Sequence, residues 1–265
     1  MGDKRLDMTV IPSFRLDNQI AIVTGSGSGM GRVFARALAE YGADVAITEL
    51  PGREALADET AALVQALGRR ALTLSLDVTQ VTSIHAMVDK VVAEWGQIDI
   101  LINNAGMNIR KWAVDVTEQD WDPVVNTDLR GVFFCAQAVG KHMIQRGKGG
   151  RIINTASQVG LVGYTERVAY CAAKAGVINL TRVLAIEWAR HGITVNAIAP
   201  TFVNTPLVAA LLKSEEIRQE VLSRIPLGRL AEPEDIVGAV VYLASPAAAM
   251  VTGHTLVIDG GWTAI

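Results

Sequence analysis

The stretch Ile20-Ala21-Ile22-Val23-Thr24-Gly25-Ser26-Gly27-Ser28-Gly29-Met30-Gly31 runs from an apolar, β-branched segment through a glycine-rich turn. The apolar residues that follow, Phe34, Leu38 and Tyr41, have helical spacing. A strand that turns on glycines straight into a helix offers a seat for a phosphate. Backbone N–H groups can approach without interference from Cβ atoms, and the helix N-terminus adds partial positive charge. Gly25, Ser28, Gly29, Met30 and Gly31 are therefore candidate cofactor-binding residues, with Gly27 read as merely permissive. Glu49 ends the next apolar run, about twenty residues further on, where a carboxylate accepts hydrogen bonds from ribose hydroxyls and repels a 2′-phosphate. Ser28 and Leu50 supply no cation to offset that repulsion, although Arg53 is near. NAD is expected rather than NADP.

The same alternation continues in both directions. Strand-length runs at Ile20–Thr24, Asp44–Thr48, Ala71–Leu76, Ile98–Asn103, Arg151–Thr155, Thr194–Ala199 and Thr255–Ile258 alternate with helical patterns at Met30–Tyr41, Arg53–Leu67, Val81–Trp95, Glu118–Arg146, Ala169–His191 and Pro233–Ala244. Several runs are apolar at successive positions, as in Ile100-Leu101-Ile102, which suits strands covered on both faces. The expectation is an α/β, Rossmann-type, doubly wound parallel sheet of about seven strands in a single domain over residues 1–265. An excursion at 201–226, containing Pro206 and the charged Lys213–Glu220, breaks the rhythm and reads as a substrate-covering element.

Composition removes several function classes. The 265 residues are 50% hydrophobic and 19% charged, with a net charge of −3, and their scattered Lys and Arg leave no footprint for nucleic acid or an anionic membrane. Ile236 to Ile258 carries no acidic residue, Lys or Arg and is long enough to span a bilayer. Ser245-Pro246 and Gly253-His254 interrupt it, so helix, turn and strand are expected instead. The segment Met1–Arg15 lacks the build of a secretory signal, and the two cysteines, Cys135 and Cys171, form no C-x-x-C pair; a cytoplasmic location follows. The four histidines stand apart and no zinc-binding cluster, nucleophile elbow or P-loop occurs, so no metal is expected.

Tyr170 and Lys174 lie four apart on a helical pattern, so an ammonium on the same face can lower the phenol pKa and make Tyr170 an acid/base. Ser157, just past a strand, can polarise a substrate oxygen. Taken alone, these residues also read as a surface pair and a loop hydroxyl, and a dinucleotide-binding sensor without turnover would need none of them.

With Asp77-Val78, Asn103-Asn104-Ala105-Gly106, Ser157, Tyr170-x-x-x-Lys174, Asn196–Pro200 and Asp259-Gly260-Gly261 in this order, the chain resembles the short-chain dehydrogenase/reductase family from about Leu16 to Trp262. The resemblance implies that Lys174 and Tyr170 bind the nicotinamide ribose and that Asp77 and Val78 contact the adenine. It implies further that Asn104, Ala105 and Gly106 line the cofactor cleft, that Val203 and Thr205 meet the nicotinamide end, and that the protein is a homotetramer built on its long helices. Asp128 occupies a position where the family usually has Asn. It can still serve catalysis through its main chain, while its carboxylate favours the Lys174 ammonium and opposes a tyrosinate. Thr201 stands where Gly is usual, which would strain a backbone with positive φ. Near the site mouth, Arg110, Lys111 and Arg167 suit an anionic substrate, and Gln158 or Asn108 suits hydroxyls. The basic segment after Asn103–Gly106 and the ending Asp259-Gly260-Gly261-Trp262 resemble the sugar-acid branch, the gluconate 5-dehydrogenases and 2-deoxy-gluconate dehydrogenases. Reductases of 3-oxoacyl thioesters and dehydrogenases of free sugars or polyols are the alternatives.

Overall fold

A computed structural model describes residues 12–205, 208–209, 212 and 214–264. Strands β1 (Ile20–Val23), β2 (Asp44–Glu49), β3 (Ala71–Ser75), β4 (Ile100–Asn103), β5 (Gly150–Thr155), β6 (Ile193–Pro200) and β7 (Thr255–Ile258) form one sheet in the order β3-β2-β1-β4-β5-β6-β7. Every pairing is parallel.

Side-chain alternation explains the two helical layers. Ala21, Val23, Val45, Ile47, Ile100 and Ile102 point to one face, where they pack with α1 (Gly29–Glu40), α2 (Glu54–Ala66) and α8 (Pro233–Ala244) through residues such as Phe34, Val64 and Ile236. Ile20, Ile22, Ala46 and Leu101 point to the other, against α3 (Val81–Trp95), α5 (Val132–Arg146) and α6 (Val168–Trp188) through Ile84, Val139 and Leu184. The chain runs from β1 outward to β3, then returns to place β4 on the other side of β1. That reversal opens a crevice beyond the carboxyl ends of β1 and β4.

The single helix expected over Glu118–Arg146 is interrupted. α4 (Glu118–Val125) passes into a π-helical turn at Asn126–Gly131 before α5 begins. Pro123 inside α4 has no N–H to give the ladder, and the wider turn carries Asp128 to full burial. In the 201–226 excursion, Glu215–Ser223 forms α7, whose Val221 packs with Ile225 and Trp262. Pro206 and Lys213, like the segment 1–11 and Ile265, lie outside the described residues.

Candidate active site

The glycine loop is fastened from beneath. Asn104 Nδ2 donates to the carbonyls of Thr24 and Gly25 at 3.0 and 3.1 Å, and the N–H groups of Asn104 and Ala105 donate to Thr24 Oγ1 at 2.9 and 3.0 Å. A Cβ on Gly25 would lie 3.0 Å from Ala105 Cα, and one on Gly31 would lie 2.3 Å from the Gly25 carbonyl oxygen. Ser28 caps α1 without a side-chain bond and the first turn holds no acid, so the amide donors at this helix end are left for a ligand. These features fit a pyrophosphate.

Gly27 is required, not merely permissive. A Cβ there would sit 2.6 Å from Glu49 Oε2 and 2.9 Å from Leu56 Cβ. Glu49 is buried at the end of β2, with Oε1 accepting from Leu50 N at 3.1 Å. The nearby cations are engaged. Arg32 bonds the Gly27 carbonyl and Glu59, and half-exposed Arg53 lies 3.7 Å from Glu49 itself. Asp77 Oδ1 accepts from Thr79 N and Thr79 Oγ1, a turn that ends beside buried Val78.

A cavity of about 450 Å³ brings the remaining groups together. Met30, Asn104, Gly106, Val203 and Thr205 from the cofactor set share its wall with Ser157, Tyr170 and Lys174. Ser157, just past β5, donates to Gln158 Oε1 at 2.8 Å, so Gln158 holds the serine as well as facing the cavity. Lys174, one turn after Tyr170, places Nζ 5.3 Å from the phenol ring centroid and 2.8 Å from Asp128 Oδ1, and it donates to the Thr155 carbonyl at 2.9 Å. Burial pulls the Lys174 ammonium down, but Asp128 and Tyr170 hold its pKa above the ordinary value. Tyr170 corrects the expectation of a lowered phenol pKa. Burial pushes it up and outweighs the pull of Lys174 and the Ser157 hydrogen bond, with Asp128 adding to the rise.

Of the three candidate substrate cations, Arg110 and Arg167 line the cavity and Lys111 does not. Arg110 pairs with Glu166 and Lys111 with Asp120. Arg167 lines the cavity and is buried, with Nη1 spent on the Thr165 carbonyl at 3.0 Å and Nη2 without a partner. Its guanidinium stacks 4.4 Å from the Tyr164 ring and 5.6 Å from Phe202, and burial lowers its pKa. Tyr164, Phe202 and Trp262 form this aromatic support from three parts of the chain, so no local motif announces it. Asn108 Oδ1, Thr155 Oγ1 and Thr201 Oγ1 are also unpartnered in the cavity wall. Thr201 carries no strain, since Asn18 and Glu166 are the non-glycine residues with positive φ among those described.

Comparison with known proteins agrees with this geometry. Residues 25–263 match the family model described as enoyl-(acyl carrier protein) reductase. The chain is 43% identical over 255 residues to 2-dehydro-3-deoxy-D-gluconate 5-dehydrogenase of Escherichia coli, covering 96% of this chain and 99% of that one. It is 44% identical over 262 residues to D-threitol dehydrogenase of Mycolicibacterium smegmatis, covering 97% of each. The crystal structure of a gluconate 5-dehydrogenase from Burkholderia cenocepacia, in complex with NADP and tartrate, superposes with a TM-score of 0.90 at 38% identity, covering 95% of this chain and 98% of that one. With a glycine loop under a doubly wound sheet and Ser157, Tyr170 and Lys174 in one cavity, the chain belongs to the short-chain dehydrogenase/reductase family of oxidoreductases.

Proposed function

We propose that this enzyme uses NAD to interconvert a secondary alcohol and a ketone on a small, polyhydroxylated carboxylate, a sugar acid. The observation that carries the substrate class is Arg167, a buried guanidinium whose Nη2 has no partner among the described residues, in the same cavity as Ser157 and Tyr170. An unpaired buried charge is costly, and a substrate carboxylate supplies the missing partner. The sugar-acid names of two relatives, one crystallised with the hydroxy acid tartrate, support the reading. NAD is favoured by Glu49, although the Burkholderia relative holds NADP.

In the oxidation direction, Ser157 holds the substrate oxygen and Tyr170, as tyrosinate, takes its proton. Lys174 stabilises that anion from one helical turn away and stands where a nicotinamide ribose would be held. A dinucleotide held in this crevice would supply the acceptor for the hydride that leaves the carbinol carbon as it becomes the ketone carbon. Gly25, Ser28, Gly29, Met30 and Gly31 seat the pyrophosphate, with Asp77 and Val78 toward the adenine and Val203 and Thr205 toward the nicotinamide. The working form in this reading is a cytoplasmic homotetramer.

A free polyol is the second reading, favoured by the unpartnered Asn108, Thr155 and Thr201 oxygens and by the D-threitol dehydrogenase relative. Initial rates with NAD and NADP on sugar acids, polyols and a 3-oxoacyl thioester separate the readings. Arg167→Met is expected to lower kcat/KM for sugar acids by about 10- to 100-fold, the worth of a charged hydrogen bond, while polyol rates hold. An equal loss on both substrates, or turnover confined to the thioester, would remove the carboxylate assignment. Tyr170→Phe should abolish turnover and keep NADH binding, which a sensor without chemistry would not distinguish.

A further inference from the structure

The π-helical turn at Asn126–Gly131 places a carboxylate inside the site. Asp128 is 0% exposed, its Oδ2 accepts from Met107 N at 2.8 Å, and its Oδ1 lies 2.8 Å from Lys174 Nζ, itself 3% exposed. The position opposite is glycine, because a Cβ on Gly106 would come within 2.7 Å of Asp128 Oδ1. The titratable groups that bear on Tyr170 are Lys174, Asp128 and Cys171, with Ser157 as hydrogen-bond partner, and those that bear on Lys174 are Asp128 and Tyr170.

We propose that Asp128 is a positioning residue for the acid/base group: it is the counterion that keeps Lys174 charged in a buried site, and it sets the pH at which the Tyr170–Lys174 pair releases its proton. The sign follows from charge counting within the buried cluster. With Tyr170 protonated, Asp128 and Lys174 cancel, so loss of one proton leaves a net negative charge away from water. Without the carboxylate the cluster begins positive and the same loss leaves it neutral. The proton therefore comes off at lower pH once Asp128 is gone, whichever of the two coupled groups releases it. In alcohol oxidation the O–H proton passes to Tyr170 Oη while hydride leaves carbon for the bound nicotinamide. That direction gains as the pair deprotonates, and ketone reduction, which needs the proton on Tyr170, declines over the same range.

This inference rests on Tyr170 being the acid/base. The test is the pH dependence of kcat/KM in both directions for the wild type, Asp128→Asn and Asp128→Ser. The asparagine variant keeps an oxygen that can accept from Met107 N–H while losing the charge, and the serine variant removes the carboxylate altogether. Both variants are checked for NADH binding, as evidence that they are folded. The rising limb for oxidation and the falling limb for reduction are expected to move together toward acid by about one pH unit or more, the scale set by a charge in contact. Unchanged limbs in a folded variant, or limbs that move toward alkali, overturn the proposal. A purely structural role would lower rates without moving the limbs. Retained turnover in Tyr170→Phe would instead overturn the acid/base assignment on which the inference stands, so the two failures are told apart.

Discussion

Glu49 lies so close under the glycine loop that a Cβ on residue 27 would fall 2.6 Å from its Oε2, which links the shape of the loop to the place of this carboxylate. In the proposed reading a carboxylate there accepts from ribose hydroxyls and repels a 2′-phosphate, while Arg32 is engaged with the Gly27 carbonyl and Glu59. Glu49→Ser removes the repulsion. It is expected to raise the NADP to NAD ratio of kcat/KM by about 10-fold or more, since about 1.4 kcal/mol separates each decade. An unchanged ratio in steady-state assays would show that Glu49 does not set the preference. The place of Glu49 at the end of β2 was legible because its distance from the loop is a local property of the sequence. The need for Gly27 was not, because it arises where two strands and α2 converge. The substrate cations divide in the same way. Three basic residues could be named from the sequence, but only folding brings Glu166 to Arg110 and Asp120 to Lys111, leaving Arg167 without an acidic partner among the described residues.

Elements reveal a different limit. The Glu118–Arg146 pattern reads as one helix because a π turn hardly disturbs the spacing of apolar residues on either side of it. Its consequence for Asp128 is nevertheless decisive. Strand positions were more secure, since β-branched runs bounded by glycine turns admit few alternatives, and the ends shift by at most two residues. The edge of the sheet depends on a buried acid. Asp44, at the start of β2, accepts from Arg70 N at 3.0 Å and from Arg70 Nε at 2.8 Å, and it meets Arg69 Nη2 at 2.9 Å, tying β2 to the entry of β3. Burial raises its pKa, but these partners together hold it below the ordinary carboxylate value. The stability this contributes is present above the unfolded pKa of about 3.9 and is lost as pH falls through the lower folded value. Asp44→Asn should cost about 1.5–3 kcal/mol at neutral pH. The gap in urea midpoint from wild type should close in acid, and a gap constant with pH would contradict this account.

For the whole molecule, the sheet explains where chemistry occurs but not what the outer faces do. α6 carries Tyr170 and Lys174 toward the cavity and packs Val177, Ile178 and Leu184 inward, yet Ala172, Ala175, Val183 and Ile186 face out at helical spacing, with Ile186 79% exposed. This face of α6, apolar but for exposed Asn179, is a surface a second copy of the chain can cover, because a two-fold contact sets the same face against itself. On this reading the homotetramer expected from the sequence uses this face of α6. Light scattering should give the mass of four chains for the wild type and a smaller species for Ile186→Asp, whose carboxylate would have to be buried in the contact. Since α6 also places Tyr170, that variant should lose activity more steeply on dilution than the wild type. A wild-type monomer with full turnover, or an Ile186→Asp tetramer, would assign the row to solvent and leave the catalytic face of α6 independent of assembly.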